Sequence, residues 1–305
     1  MSSPYGRALL ICNGSRRAKA VAGALPEIRR QLEARELEHE IVSTRARGDA
    51  ISLARRFVER GGRFVVAVGG DGTVNEVVNG VMTSGVPSTR DVVLGVIALG
   101  RGLDFVRTFG IPALPGHAVA HLDGPESFPI DVGRVTFHHG GAEITRYFAN
   151  VAEVGLEARV RARAAHLPSW FGPTAFLIAF WSETLLWRSA DAKVDLVDRG
   201  YEGPLDALVV ANGQFSSGGK KIAPRAAPTD GLLDVLVDHV GRWERIALLP
   251  KVYRGEHLPH PDIRLAKRVR VSIDGPPLPL TVDGEALGRT PALFEVLPGA
   301  LRLKV

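Results

Sequence analysis

Cysteine, long hydrophobic runs and clustered charge of one sign are the features that this 305-residue sequence has little of. Its single cysteine, Cys12, excludes an internal disulfide and a cysteine-only metal site, which fits a reducing cytoplasm. Because Cys12 lies within the apolar run 8–12, we predict that it is buried as a small hydrophobic side chain.

No segment of the sequence has the composition of a secretory signal or a membrane span. Residues 1–6 are polar and lack the apolar core of a signal peptide. The longest apolar stretch, 175–187, is interrupted by Ser182, Glu183 and Thr184 and is too short to cross a bilayer. We therefore expect a cytoplasmic protein whose contact with a membrane is peripheral.

Positive charge is in modest excess but is not concentrated. Lysine and arginine number 38 against 33 acidic residues, and the pI is about 9.6. A basic surface could face anionic lipid head groups, ATP or nucleic acid. No run of basic residues is long enough for a nucleic-acid arm, so we expect no nucleic-acid partner. The length allows two domains, each with its own core.

The stretch 69–76, GGDGTVNE, organises the first half of the chain. It follows the apolar run 63–68 and leads into 74–82, where valines recur at helical spacing, so the order is strand, glycine turn, helix. Glycines let the backbone approach a ligand, and the N–H groups of the following helix suit a phosphate. Asp71 would then hold a divalent cation beside the phosphate. The alternative is that Asp71 only caps the helix.

Strands and helices alternate up to about residue 110, which indicates a doubly wound parallel sheet. Ligands of such sheets bind beyond the carboxyl ends of the strands. Asn13, Asp71 and Asp104 each follow an apolar strand-like run, so we expect all three at the same edge.

The sequence pattern changes near residues 128–133. Beyond this point most of the chain consists of short strand-like runs separated by glycine and proline. This pattern predicts a β-sandwich or a related β-rich domain, interrupted by helical segments at about 172–189 and 243–254. The predicted domains are an α/β domain over 1–130, with the candidate phosphate-binding turn, and a β-rich domain over 131–305. The predicted strands of the second domain are 130–137, 144–151, 193–197, 206–211, 232–237, 269–273, 278–282 and 300–305.

Residues 69–80, GGDGTVNEVVNG, resemble the nucleotide-binding signature of the diacylglycerol kinase catalytic family, which includes bacterial lipid kinases and sphingosine kinases. Later segments match that family in the right order, so the resemblance covers nearly the whole chain. It implies an N-terminal doubly wound α/β domain, a β-sandwich-like second domain and an active site in the cleft between them. It further implies ATP and Mg²⁺ as cofactors.

The resemblance also implies which residues contact the nucleotide. In the segment 100–107, the glycines, Asp104, Phe105 and Arg107 match the family pattern, whereas Arg101 and Leu103 replace a Thr and an Asn. We predict that Arg101 substitutes for the lost contacts by binding phosphate as a bidentate guanidinium. The nucleotide set is Asn13, Ser15, Thr44, Gly69, Gly70, Asp71, Gly72, Thr73, Glu76, Gly100, Arg101 and Gly102.

Three carboxylates are implied as catalytic by the resemblance. Residues 281–285, TVDGE, resemble the family's Asp-Gly-Glu motif, whose Glu, here Glu285, is proposed as the general base. Asp131 matches the Asp that is coupled to that Glu, and Asp104 would help organise metal and phosphates. Asp283-Gly284 taken alone is an ordinary hairpin turn, and Asp104 taken alone could be a helix cap.

A second metal position is implied in the C-terminal half. The segment 212–224 matches a family motif in which a glycine pair precedes Ala-Pro, and 229–234 matches Asp-Gly-Leu-Leu-Asp. In bacterial members the Asp equivalent to Asp230, with nearby backbone oxygens, is associated with a structural Mg²⁺. Asp71, Asp230 and Leu232 are therefore the predicted metal residues. A simple Asp-Gly turn entering a strand is the compatible alternative.

Together these patterns predict an ATP-dependent lipid kinase that phosphorylates a lipid hydroxyl at the membrane surface, most simply that of diacylglycerol. A sphingoid base, another glycerolipid or a soluble alcohol is the alternative acceptor. A catalytically weak lipid- or nucleotide-binding protein is the alternative of another class, favoured by Arg101 and Leu103. An NAD kinase would share the glycine turn but fits the later motifs less well. A homodimer is one candidate assembly, and the sequence leaves the oligomeric state open.

Overall fold

The computed structural model describes residues 4–14, 19–100, 103–112, 119–172, 174–197 and 200–305. The chain divides into two compact units. Unit 1 comprises Met1–Val132 and Pro298–Val305, and unit 2 comprises Gly133–Leu297. The predicted boundary at residue 130 lies close to the observed one. The predicted second domain included residues 298–305, which the structure places in unit 1.

Unit 1 alternates strands and helices, because its fully apolar runs of five or six residues form buried strands. Its elements are β1 (Ala8–Cys12), α1 (Lys19–Ala34), β2 (His39–Ser43), α2 (Asp49–Glu59), β3 (Phe64–Gly69), α3 (Asp71–Met82), β4 (Val93–Ala98), α4 (Asp104–Phe109), a 3-10 turn (Ala120–Leu122), the start of β5 (Phe128–His139) and the end of β16 (Ala292–Leu303).

The sheet of unit 1 is parallel in the order β2-β1-β3-β4, as a doubly wound fold requires. The strand order reverses between β1 and β3, which makes the gap between their carboxyl ends the topological switch point. Cys12 is fully buried in the core of this unit, and burial raises the pKa of its thiol to about 12. The prediction that Cys12 is buried is therefore confirmed.

The end of β16 adds a fifth parallel strand to this sheet, with Arg302 and Leu303 paired to β4. The side chain of Lys304, which is almost fully buried, holds the end of β16 in this position. Its ammonium donates hydrogen bonds to the carbonyl oxygens of Asp123, Gly124 and Glu126 at 3.0, 2.8 and 2.9 Å. A buried lysine is tolerated here because three acceptors replace its water shell.

Unit 2 is the predicted β-rich domain, with three helices inserted. Besides the parts of β5 and β16 that lie in it, its elements are β6 (Ala142–Phe148), β7 (Val151–Gly155), α5 (Leu156–His166), a 3-10 turn (Ser169–Phe171), α6 (Thr174–Leu186), β8 (Ala190–Asp195), β9 (Gly200–Leu205), β10 (Ala207–Ala211), β11 (Leu233–Asp238), α7 (Arg242–Arg254), β12 (Ile263–Arg268), β13 (Arg270–Asp274), β14 (Pro279–Val282) and β15 (Glu285–Arg289).

Two antiparallel arrangements of strands enclose the main core of unit 2. One sheet has the order β12-β11-β10-β7-β14-β15, and the other strands pair in the order β16-β13-β8-β9, with β5 joining β16 to β6. Inward-facing residues of both sets form a single apolar cluster that includes Phe137, Val154, Val210, Leu280 and Phe294. This arrangement confirms the predicted β-sandwich-like domain.

Unit 2 differs from the sequence prediction in several segments, and the strands β9, β12 and β15 were not predicted. The run 144–151 was predicted to be one strand, but it breaks between β6 and β7, where the N–H groups of Ala149 and Asn150 bind the Asp283 carboxylate instead of a ladder partner. Helix α5 was not predicted. Its sequence, LEARVRARAAH, alternates apolar and charged residues with period two, a pattern that favours a strand over a helix.

Candidate active site

The carboxyl ends of β1 and β3 meet at the switch point of unit 1. The N–H of Asn13 donates to the carbonyl oxygen of Val68 at 3.0 Å, which ties the end of β1 to the end of β3. The N–H of Gly14 donates to Thr44 Oγ1 at 3.1 Å, which brings the residue after β2 to the same place. Asn13, Thr44 and the glycine turn therefore gather at one edge, as the sequence predicts.

Glycine is required at this edge because the chain segments approach too closely for side chains. A Cβ on Gly69 would lie 2.5 Å from Thr73 Oγ1, and one on Gly14 would lie 2.1 Å from the carbonyl oxygen of Thr44. Gly100 has a φ of 129°, and a Cβ there would lie 3.9 Å from the backbone nitrogen of Gly70. The chain segments after β3 and β4 thus come together at Gly70 and Gly100, where no side chain covers the backbone.

Asp71 connects these two loops. Its carboxylate accepts hydrogen bonds from the backbone N–H groups of Asp104, at 3.1 Å, and Phe105, at 3.0 Å, which begin α4. The helix α3 begins at Asp71 itself, three residues before the apolar pattern that predicted it. Asp71 is half-buried and accepts two backbone hydrogen bonds, so we expect its replacement to affect stability as well as charge. Its role toward a metal stays a prediction.

Glu76 has a structural function that the sequence did not suggest. Its two carboxylate oxygens accept hydrogen bonds from the N–H groups of Gly48, at 3.0 Å, and Ala50, at 3.2 Å, at the start of α2. A carboxylate at that position also complements the helix dipole. These two hydrogen bonds explain Glu76 as a cap of α2. They give no support to the predicted contact of Glu76 with nucleotide.

Asp104 is buried in the first turn of α4, and its Oδ1 accepts a hydrogen bond from Arg107 Nη1 at 3.2 Å. The preceding residue, Leu103, has left-handed backbone angles, φ 58° and ψ 34°. Asn tolerates these angles better than Leu, which gives the Asn of the family pattern a backbone reason in addition to a polar one. Ser15, Arg101 and Gly102 lie outside the described residues.

Asp131 is held by the returning C-terminal strand. It is buried, and its Oδ1 accepts a hydrogen bond from the N–H of Gly299 at 2.8 Å, within unit 1. This bond fixes the orientation of the carboxylate. The coupling of Asp131 to Glu285 stays a prediction.

In unit 2, the Asp-Gly-Glu segment forms a tight hairpin between β14 and β15. Asp283 and Gly284 have positive φ angles, 43° and 89°, as a two-residue type I′ turn requires, so the hairpin alternative for these two residues is correct. Glu285 is the first residue of β15 and is half-buried.

The Asp283 carboxylate anchors this hairpin. It accepts hydrogen bonds from the N–H groups of Ala149, Asn150 and Val151, at 3.0, 3.1 and 2.8 Å. Three backbone donors on one carboxylate hold the turn rigidly against the start of β7. Glu285 is therefore presented from a fixed position.

Beneath the hairpin lies a buried polar cluster that sequence reasoning missed. Glu153, on β7 and only 1% exposed, accepts hydrogen bonds from Arg161 Nε at 3.0 Å, Ser216 Oγ at 2.5 Å and Thr281 Oγ1 at 3.3 Å. Burial alone would raise the pKa of Glu153, but the charges of Arg161 and Lys220 and these hydrogen bonds lower it overall. A lone acid inside the otherwise apolar strand VAEVG was the signal available in the sequence.

Arg161 links this cluster to the hairpin. Its Nη2 donates to Ser216 Oγ at 2.7 Å, and a Cβ on Gly284 would lie 2.5 Å from its Nη1. Gly284 is thus required both by its positive φ and by the guanidinium packed against it. We infer that Arg161 is a positioning residue for the turn that precedes Glu285.

The contacts at Asp230 do not fit a bound cation. Lys267 Nζ lies 2.6 Å from Asp230 Oδ2 and 3.1 Å from Asp234 Oδ2, so an ammonium group occupies the space between the carboxylates. Asp230 Oδ1 accepts a hydrogen bond from the N–H of Leu232 at 3.0 Å, as in a simple Asp turn. The predicted metal residues Asp230 and Leu232 therefore have no support in their contacts, and the turn alternative describes them.

A cavity of about 40 Å³ lies within unit 2. Phe180, Leu249 and Val252 of α6 and α7 are among its apolar wall residues. Its polar wall includes Lys220, which pairs with Glu157, and His257, whose pKa is lowered by burial. An engineered cavity that takes benzene measures about 150 Å³, so this cavity is too small for an acyl chain unless the helices move apart.

Comparisons with known proteins agree with this fold. Residues 7–135 match the family model of the diacylglycerol kinase catalytic domain, and residues 150–305 match that of the YegS C-terminal NAD kinase beta sandwich-like domain. Two Bacillus anthracis structures superpose on nearly the whole chain. One, of a diacylglycerol kinase, has a TM-score of 0.71 at 21% identity, covering 99% of this chain and 97% of that chain. The other has a TM-score of 0.76 at 24% identity, covering 98% and 97%.

Curated relatives match over similar lengths. A diacylglycerol kinase of Staphylococcus carnosus is 26% identical over 94% of this chain and 91% of its own. A "probable lipid kinase YegS-like" protein of Pseudomonas aeruginosa is 29% identical over 95% of this chain and 90% of its own. Fold and motifs together define a lipid kinase with a two-domain architecture. The chain belongs to the diacylglycerol kinase family and carries the YegS type of second domain.

Proposed function

We propose that this lipid kinase transfers the γ-phosphoryl group of ATP to the hydroxyl of diacylglycerol, giving phosphatidic acid. The observation that carries the proposal is the meeting of the glycine loops after β3 and β4 at the carboxyl edge of the unit 1 sheet, where Asp71 joins the start of α3 to the start of α4. Phosphoryl transfer depends mainly on positioning and on charge stabilisation of the phosphates. The glycine backbone after β3 and the start of α3 would supply the positioning, and a cation held by Asp71 would supply the charge.

Mg²⁺ fits this arrangement at one of its two predicted positions. Asp71 places a carboxylate at the start of α3 and α4, and its two hydrogen bonds to α4 orient it as ligating carboxylates are oriented in metal sites. Bound there, the ion would neutralise phosphate oxygens. Asp104 would support the same edge. Asp230 is not part of the proposal, because Lys267 already neutralises it.

Glu285 is the proposed general base for the acceptor hydroxyl. The Asp283 carboxylate and the Arg161–Glu153 pair hold its hairpin in place, and a base must be held within hydrogen-bond reach of the proton that it removes. The γ-phosphoryl group would pass to the deprotonated oxygen while ADP leaves. Asp131 is proposed to favour the protonation of Glu285 that this step requires.

Diacylglycerol is proposed as the acceptor because several relatives are named diacylglycerol kinases. A sphingoid base, another glycerolipid or a soluble alcohol is the second candidate. A weakly active binding protein is the third, and the strained Leu103 favours it, because the strain falls within the loop that would contact phosphate. No helix among the described residues could span a membrane, and we propose that the protein meets its lipid by peripheral contact.

A transfer assay separates these candidates. The purified protein is incubated with γ-labelled ATP, Mg²⁺ and vesicles that contain diacylglycerol, with a sphingoid base and glycerol tested in parallel. Label in phosphatidic acid supports the proposal. If label appears only in another product, that product identifies a different acceptor. If equilibrium dialysis shows ATP binding but no label is transferred, the weakly active binding protein is supported.

A further inference from the structure

Helix α6 is apolar on its solvent side as well as on its inner side, unlike an ordinary surface helix. Its solvent side carries Leu177, Ile178, Trp181 and Leu185, each between 38% and 46% exposed. These residues recur at helical spacing, so they form one continuous stripe. Surface helices of soluble proteins normally turn such a stripe toward the core.

The inner side of α6 packs against α5 and α7 and contains the acidic residue Glu183. Ala179 and Phe180 join the cluster formed with Leu156, Val160 and the partly buried Leu249. Glu183 is only 6% exposed and forms an ion pair with Arg159 of α5. The exposed stripe is therefore additional to a complete packing face, and core packing does not explain it.

Aromatic residues lie at both ends of the stripe. Trp170, in the 3-10 turn before α6, is 77% exposed and stacks on Phe171. At the other end, Arg242 Nη1 donates to the carbonyl oxygen of Leu185 at 3.4 Å, and the next residue, Trp243, is 69% exposed. Tryptophan prefers the boundary between lipid head groups and acyl chains.

Exposed charges around the stripe are mainly positive. Between residues 156 and 189 the only acids are Glu157 and Glu183, both buried and both paired with a cation. The exposed charged residues of this segment are arginines, among them Arg163 and Arg188. On α7 the exposed acid of the first turn, Glu244, pairs with His260. The patch is thus apolar with a basic border.

We propose that this patch, defined by Trp170, Leu177, Ile178, Trp181, Leu185 and Trp243, docks the protein on an anionic lipid bilayer. An apolar stripe with a basic border is the surface that interfacial helices present to such membranes. A second copy of the chain fits less well, because a two-fold contact would bring the same arginines against each other. The choice of a bilayer as partner rests on the proposed lipid kinase function.

Vesicle co-sedimentation of the full chain tests the proposal. The vesicles are phosphatidylcholine with and without about one-third phosphatidylglycerol, a mixture chosen for its anionic surface. Wild type should bind the anionic vesicles, and Ile178→Ser with Trp181→Ser should weaken that binding by on the order of 10-fold or more. The matched control is Leu265→Ser with Val269→Ser, two exposed apolar residues of unit 2 outside the patch, which should bind as wild type does.

A second variant separates charge from apolar contact. Arg163→Gln with Arg188→Gln should lower binding to anionic vesicles by on the order of 10-fold and leave binding to neutral vesicles unchanged. Thermal unfolding and analytical ultracentrifugation of each variant establish that it is folded and whether it self-associates. Equal vesicle binding by wild type and Ile178→Ser/Trp181→Ser overturns the proposal, as does a wild-type dimer that this variant abolishes without any change in vesicle binding.

Vesicle binding does not require catalysis, so the result is independent of the transfer assay. Binding that depends on the patch, without phosphoryl transfer, would leave docking intact and remove the proposed function. If the protein phosphorylates a soluble short-chain diacylglycerol but does not bind vesicles, the proposed function is supported and docking through the patch is overturned.

Discussion

The side-chain carboxylate of Asp71, at the start of α3, accepts a hydrogen bond from the backbone N–H of Asp104, at the start of α4, at 3.1 Å. The two loops that would contact nucleotide are therefore built as one unit. A change at Asp71 has to affect both the shape of this edge and its charge.

Asp71→Asn is expected to lower phosphoryl transfer by at least ~10²-fold, because the charge that would hold a cation beside the phosphates is lost. It should also lower the free energy of unfolding by about 0.5–1 kcal/mol, since a charged cap of α4 becomes a neutral one. Turnover and urea denaturation measure the two effects. Asp91→Asn, at an exposed position, is the control and should change neither. Near-normal turnover of Asp71→Asn would remove this residue from the site.

Arg161→Met is expected to destabilise the protein by about 3–5 kcal/mol, because Glu153 would be left buried and without its main cation. Adding Glu153→Gln should recover a large part of that stability, since the uncompensated charge is then removed. The double variant should still turn over slowly at an unchanged ATP affinity, because the hairpin before Glu285 has lost its support. Full turnover in the double variant would contradict a positioning role for Arg161.

Leu103→Asn is expected to raise the free energy of unfolding by up to ~1 kcal/mol, because Asn adopts left-handed backbone angles at lower cost than Leu. Thermal denaturation measures the gain. Combined with Arg101→Thr, the change also tests the sequence-based prediction that Arg101 binds phosphate. A large rise in ATP affinity and turnover in this double variant would show instead that Arg101 obstructs the site.

Stability should fall with acidification through His121. Burial lowers the pKa of His121 to about 4, so the imidazole is neutral in the folded protein down to that pH. An unfolded chain takes up this proton below about pH 6.5, and stability contributed by the neutral ring is therefore lost progressively between pH 6.5 and 4, by up to ~3 kcal/mol. His121→Gln should flatten the dependence of unfolding free energy on pH in that window. An unchanged slope would contradict the assignment.

The first unit could be predicted from the sequence almost element by element, because each buried strand is an apolar run followed by a turn and an amphipathic helix. The second unit was predictable in class but less so in detail. Helix α5 alternates charged and apolar residues as a strand does, and β9, GYEGPL, contains residues typical of turns that an edge strand can tolerate.

The positions of Asn13, Asp71 and Gly100 after strands were predictable, because each follows an apolar run, and their contact with nucleotide stays a prediction. The residues that support them depend on long-range contacts and carried no local motif. Two examples are the Glu76 carboxylate, which caps α2, and the Arg161 guanidinium, which contacts Gly284. In each case the two partners are far apart in the sequence. The Lys267 ammonium at Asp230 is another case, because a family motif gives no information about the residue opposite it.

Glu285 is proposed to remove the proton of a lipid hydroxyl, whose oxygen then receives the γ-phosphoryl group of ATP. The measurement is initial-rate transfer from γ-labelled ATP to diacylglycerol by wild type, by Glu285→Gln and by the control Glu143→Gln, at an exposed position of β6. Glu285→Gln is expected to lower kcat by ~10²–10⁴-fold with little change in ATP affinity, while Glu143→Gln behaves as wild type. Unchanged kcat in Glu285→Gln, or a loss confined to ATP binding, would contradict this role for Glu285.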